Sequence, residues 1–291
     1  MAGSSDQMNL PFFQVDVFGG APFKGNPVAV ILEGDKLTSS QMLEIANWTN
    51  LSETTFVCAP TTSNADYRLR IFTTQGELPF AGHPTIGSAT ALLAYGLTPK
   101  TPGMLVQECD QGLVPLHLLG NRIFFELPEP SFAPLSEHRL QDILTAIGIH
   151  RESVCNAAII DVGAVWITLQ IRSAQDVLDL KPDINCLAQA TTNCTGLTVF
   201  GLYADGDSAL VEVRSFVPGD AVPEDPVCGS GNGCVAAMLQ RSGIAPSRYS
   251  ASQGNKVGRD GRIEVEFSSD GTILIGGVSA IRVQGSISLT P

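Results

Sequence analysis

The sequence predicts an α+β protein of two domains, and three observations predict it. The chain has 291 residues, about twice the roughly 150 of a typical domain. Its apolar segments are short and punctuated by 29 glycines and 18 prolines, which suits many strands and few helices and excludes an all-helical bundle. A sequence of strand, glycine-rich loop and apolar helix occurs twice, which points to two pseudo-symmetric domains.

Residues 12–18 alternate as a strand, and 28–32 read as a short buried strand after the turn at Gly25-Asn26-Pro27. Residues 38–50 open on Thr38 and place Met42, Leu43, Ile45 and Ala46 at helical spacing, the pattern of a capped amphipathic helix. Strands follow at 54–58 and 67–72, then a Gly- and Pro-rich loop over 76–84. The run 86–95 is nearly uncharged and stops at Gly96 as a helix does. A helix with no polar face has to be enclosed on all sides, which suggests one threaded through a curled sheet.

Further strands are expected at 105–108, 113–118 and 122–127. The Pro-rich segment 126–134 marks a crossing between domains, because Pro extends neither a ladder nor a helix interior. The first domain is taken as residues 9–127 with the final strand 277–291, the second as 128–276. Beyond the crossing a helix is expected at 139–147, a strand at 164–170, a helix near 175–180, and strands at 197–203 and 210–216.

A formal net charge of −12 with no Lys/Arg cluster argues against nucleic acid as a partner. No stretch approaches the roughly 18 apolar residues of a membrane helix, and Met1 to Asp6 lack the basic start and apolar run of a signal peptide, so a soluble cytoplasmic protein is expected. Seven scattered cysteines without a CxxC pair suit free thiols in a reducing compartment. The four histidines show no HExxH or HxxxH spacing, so no metal is expected. The run Gly229 to Gly233 has neither the GK[ST] of a phosphate loop nor the GxGxxG of a dinucleotide site, and no cofactor is expected.

In the repeat, the segment from Arg70 through Gly82-His83-Pro84 and Gly87-Ser88 matches that from Arg214 through Asp225-Pro226 and Gly229-Ser230. His83 falls opposite Asp225, and Ile86 opposite Cys228. Each glycine-rich loop leads into an apolar helix, whose unpaired N–H groups and positive end favour an anion, most simply a carboxylate or phosphate. Glu53, His83 and Asp225 are the residue types that shuttle protons. By pattern alone each also fits a structural place: Glu53 a cap or surface loop, His83 a loop histidine, Asp225 a turn before Pro226.

Five ordered motifs run from residue 25 to residue 254: Gly25-Asn26-Pro27-Val28-Ala29-Val30, Leu51-Ser52-Glu53-Thr54-Thr55-Phe56-Val57, Gly82-His83-Pro84-Thr85-Ile86-Gly87, Glu224-Asp225-Pro226-Val227-Cys228-Gly229-Ser230 and Ser252-Gln253-Gly254. Together they resemble the signatures of the phenazine-biosynthesis (PhzF-like) family. That resemblance implies a diaminopimelate-epimerase-like fold of two pseudo-symmetric domains, each a curled mixed or antiparallel sheet around a central helix, with the site in the cleft between them, and a cofactor-independent isomerase. It makes Glu53 the acid/base, with His83 and Asp225 assisting, while Ser52, Gly82, Gly87, Gly229 and Ser230 hold a small carboxylated substrate. It also carries an expectation of homodimers.

Cys228 departs from the pattern, since phenazine-type members more often have Thr or another small residue there. Its loop resembles the second cysteine loop of diaminopimelate epimerases and proline racemases. A thiol at a helix N-terminus is expected to have a lowered pKa. Because Ile86 stands at the first-half counterpart, a two-thiol mechanism lacks its partner. The alternatives are therefore a racemase or epimerase pairing Glu53 with Cys228, Cys228 as a small buried residue at the helix start, and a non-catalytic metabolite-binding protein of the same fold.

Overall fold

The computed structural model describes residues 9–219 and 222–289, so the leader Met1 to Asp6 and positions 290 and 291 of the expected final strand lie outside the described residues. The chain forms two units. The first comprises the described parts of Met1–Val17 and Val278–Pro291 with Pro27–Phe124, and the second Phe18–Asn26 with Phe125–Gly277. The mixture of strands and few helices is an α+β architecture, as expected.

In the first unit, β1 (Asn9–Val17) pairs with β2 (Asn26–Ile31), which enters the unit at Pro27. Helix α1 (Ser39–Thr49) starts where the sequence caps it. The Thr38 hydroxyl accepts from the Gln41 N–H while the Gln41 side chain accepts from the Thr38 N–H, and Asn50 stops the helix in the left-handed region at φ 53°. β3 (Thr54–Cys58) runs parallel to β2, and β4 (Tyr67–Phe72) antiparallel to β3. β5 (Glu77–Leu78) folds back on β4. Helix α2 (Gly82–Tyr95) follows, packed against β1, β3 and β4. β6 (Met104–Cys109) then runs parallel to β4 and pairs antiparallel with β7 (Gly112–Leu119), and β8 (Arg122–Glu126) leads into the second unit.

Helix α2 begins four residues earlier than the expected start at 86, because Pro84 sits in its first turn, where a missing N–H costs nothing. Its end at Gly96 is the expected one.

The second unit opens with β9 (Ser131–Ala133), then α3 (Glu137–Ile147) and β10 (Val154–Asp161), which pairs antiparallel with β9. The segment expected as a Pro-rich crossing thus holds a short strand, possible because its prolines at 130 and 134 flank the ladder. β11 (Val165–Ile171) is antiparallel to β10; helices α4 (Ala174–Asp179) and α5 (Ile184–Ala190) lead to β12 (Gly196–Leu202), parallel to β11. β13 (Val211–Phe216) and β14 (Glu224–Asp225) fold back in turn, and α6 (Gly229–Arg241) leads to β15 (Arg248–Gln253), parallel to β13. β16 (Gly261–Phe267) and β17 (Ile273–Ser288) complete the order, the latter passing into the first unit to pair antiparallel with β1. Among the described residues no helix is long and apolar enough to cross a membrane.

The pairing pattern from β2 to β7 recurs from β11 to β16: parallel, antiparallel, antiparallel hairpin, parallel, antiparallel. One interaction recurs with it. Arg70 forks onto Glu77 and lies 5.2 Å from the Phe72 ring centre, and Arg214 forks onto Glu224 and lies 5.0 Å from that of Phe216. The second copy is the more deeply set, with side chains 5% and 13% exposed against 17% and 27%, and Arg214 also donates to the Leu180 carbonyl (2.8 Å).

Removing Arg214 strands the largely buried Glu224 carboxylate and the Leu180 carbonyl, so Arg214→Ala is expected to cost about 3 kcal/mol, whereas Arg70→Ala is expected to cost about 1 kcal/mol. Urea titration of both variants checks this; equal losses would show that burial does not set the strength of the pair.

Candidate active site

In the first unit the left-handed cap at Asn50 turns the chain out of α1, and half-buried Leu51, Ser52 and Glu53 follow before β3 begins. The strand start is tied on both faces. The Thr54 hydroxyl meets that of Thr49 (2.7 Å), and the Thr55 hydroxyl meets that of Ser88 on α2 (2.8 Å). Glu53 is therefore held at the mouth of a fixed strand, and its Oε2 stands 3.5 Å from Nε2 of His83.

His83 is the second residue of α2 and only 4% exposed. Its ring hydrogen-bonds the Pro27 carbonyl, yet burial dominates and pulls its pKa down to about 3. The imidazole is thus neutral at ordinary pH. With Nε2 turned to Glu53, the bond to Pro27 puts the ring proton on Nδ1 and presents a lone pair to the carboxyl group. Gly82 and His83 also open α2, so their N–H groups have no acceptor within the helix.

In the second unit Asp225 turns the chain from β14 towards α6. Its Oδ1 accepts from Nδ2 of Asn26 (2.9 Å) and from the Val227 N–H (3.0 Å). Cys228 is the N-cap of α6, its Sγ accepting from the Gly231 N–H (3.3 Å). Ser230 accepts a hydrogen bond from Nε1 of the buried Trp166 (3.0 Å), and its hydroxyl is 3.7 Å from Sγ of Cys228. Gly229 is the first residue of the helix.

The expected lowering of the Cys228 pKa is reversed. Burial and the neighbouring Asp225 charge push the thiol well above its usual range, and the Gly231 N–H offsets only part of that. Gly87 has a packing role of its own. It lies in the second turn of α2, and a Cβ there would fall 2.4 Å from Val28 and 3.0 Å from Val17, so its part is close helix–strand packing.

Glu53 meets His83 in the first unit, with Ser52 and Gly82 their neighbours in the chain, and Cys228 meets Asp225 and Ser230 in the second, beside Gly229. Asn26 and Gln253 were visible within the motifs and Asn232 within the run Gly229 to Gly233, all without a role, while Trp166 carried no sequence signal. Among the described residues no group of three His, Cys, Asp or Glu is placed to hold a metal ion.

A carboxyl group facing a neutral buried imidazole at the start of a buried helix is the equipment of an acid–base enzyme, and its relatives place this chain in the isomerase class. The chain belongs to the phenazine biosynthesis-like protein family, whose PhzC-PhzF model matches residues 15–286. It is 41% identical over 290 residues to Antisense-enhancing sequence 1 of Schizosaccharomyces pombe, covering 94% of this chain and 97% of that one. It is 32% identical over 282 residues to the trans-2,3-dihydro-3-hydroxyanthranilate isomerase of Pseudomonas aeruginosa, covering 94% of both. The crystal structure of the Bacillus anthracis phenazine biosynthesis protein of the PhzF family shares the fold, with a TM-score of 0.82 at 22% identity over 96% of this chain and 99% of that one.

His83 gives a pH signature. Its folded pKa of about 3 lies below the roughly 6.5 of an unfolded histidine, so the unfolded chain binds the extra proton between those values. Its contribution to stability is complete above about pH 6.5 and is lost as pH falls through that window. Urea midpoints measured from about pH 7.5 to 5 should fall less steeply in His83→Gln than in the parent protein; parallel slopes would mean that folding leaves the His83 pKa unchanged.

Proposed function

We propose that this protein moves a proton between carbons of a small carboxylated metabolite, with Glu53 as the acid–base group and no cofactor. The observation that carries the reading is the 3.5 Å approach of Glu53 to a buried histidine that stays neutral. As a carboxylate, Glu53 takes a proton from carbon. Once protonated, it has the Nε2 lone pair of His83 to hold that proton in place before returning it to a second carbon. Negative charge that develops on the substrate is met by the N–H groups of Gly82 and His83 at the start of α2.

Ser52 and Gly82 serve the substrate carboxylate in this reading, and Asp225, Gly229 and Ser230 join it through the family resemblance. The recurrence of strand pairing and of the Arg–Glu pair supports two pseudo-symmetric domains derived from one ancestral half, each a curled sheet around its helix. The Pseudomonas relative, named for a dihydro-hydroxyanthranilate, makes cyclic amino-acid-like acids the first substrates to test. A racemase that used Cys228 as a base would need a thiolate, which burial and Asp225 disfavour.

Solvent deuterium incorporation, followed by NMR over a panel of dihydroaromatic acids and amino acids, tests the reading. Glu53→Gln is expected to lower exchange into the active substrate by about 10²–10⁴-fold with folding intact. Binding of a panel member without exchange in either protein would replace this reading with that of a metabolite-binding module.

A further inference from the structure

A single side chain holds the Asp225–Cys228 turn at both ends. Gln253, 1% exposed at the end of β15, donates from Nε2 to the Asp225 carbonyl (2.9 Å). Its Oε1 accepts from the Cys228 N–H (3.1 Å) and from Nδ2 of Asn232 (2.8 Å), and that Asn232 amide also donates to the Cys228 carbonyl (2.9 Å). The backbone reaches this close because residue 254 is glycine: it sits at φ 98°, and a Cβ there would lie 2.5 Å from the Pro226 carbonyl oxygen. Across the turn, fully buried Asn26 donates to Oδ1 of Asp225 and to the Val227 carbonyl (3.1 Å). With the Val227 N–H, two donors converge on Oδ1 and fix the plane of the carboxylate.

Burial alone does not call for glutamine, since an apolar side chain fills such a place at lower desolvation cost. Gln253 directs its donor and its acceptor to the first and last residues of one four-residue turn. We propose that Gln253 is a positioning residue for the proton-transfer reaction: its amide sets the Asp225 carboxylate and the N–H groups that open α6. The assignment rests on the proposed reaction above, while its effect on the turn is measurable without any substrate.

Glutamate at this position is a titratable copy of the amide. Protonated, it offers one O–H to the Asp225 carbonyl and one C=O to the Cys228 N–H, as glutamine does. Ionised, it sets a carboxylate oxygen against the Asp225 carbonyl oxygen and pushes the turn apart.

The experiment compares Gln253→Glu with the parent protein at each pH from about 5 to 8. Two quantities are read: deuterium exchange into the substrate the parent turns over, and iodoacetamide labelling of Cys228 by peptide mass spectrometry. Cys234, buried farther along the same helix, reports global opening. Relative to the parent, exchange in the variant is expected to fall about tenfold from low to high pH, in kcat more than in KM, and Cys228 labelling to rise about tenfold while Cys234 stays protected. A flat ratio across pH overturns the proposal, as does labelling of Cys228 and Cys234 that rises together. If the parent exchanges nothing, the proposed reaction fails on its own, and the labelling ratio alone decides whether Gln253 holds the turn.

Discussion

Residues 82–89 of α2 are buried without interruption, and a helix enclosed in that way must find a partner for every polar atom or lose about 1–3 kcal/mol for each one left over. The surrounding strands supply them. Ser88 donates to the Pro84 carbonyl and meets Thr55 of β3, Gln107 of β6 donates to the Thr85 hydroxyl (3.0 Å), and Pro27 of β2 receives the His83 ring. Gly87 lets the helix press on Val28 and Val17 closely enough for these bonds to form. The same enclosure sets the chemistry, because it strips water from His83 and leaves that ring neutral beside Glu53.

Elements with strong local signals were legible in the sequence. The capping pattern at Thr38, the glycine stop at Gly96 and the alternation over β3 and β4 each specify their element without help from the rest of the chain. β10 and α5 escaped notice because Val154–Asp161 and Ile184–Ala190 have neither clear alternation nor a continuous apolar stripe; tertiary packing decides them. The candidate groups were legible by type and motif, but their charge states were not. Helix position alone argues for a reactive Cys228, and only the depth of its burial and the place of Asp225 reverse the sign. The contact of Gly87 with Val28 and Val17 was illegible for a related reason: a glycine needed for packing and a glycine needed for binding look alike in a sequence.

The second unit solves a different problem from the first. Its helix α6, also buried along most of its length, starts directly after a turn, and that turn is held by amides from elsewhere in the chain, Asn26 and Gln253, with Asn232 from the helix itself. Asn26 and its neighbour Pro27 thus each serve one candidate group: the side chain of the first grips Asp225, and the carbonyl of the second receives His83. That pairing gives the Gly25-Asn26-Pro27 motif a physical meaning that its spacing alone does not reveal.

The ladder between β1 and β17 joins Asn9 to Ser288 and Val17 to Ser279. β1 therefore waits for this antiparallel partner until translation has passed Ser288. Throughout that interval β1 presents an unsatisfied edge, the kind of surface that recruits strands from neighbouring nascent chains. The first unit consequently closes only once β17 has been made, and its maturation depends on whatever shields that edge in the meantime.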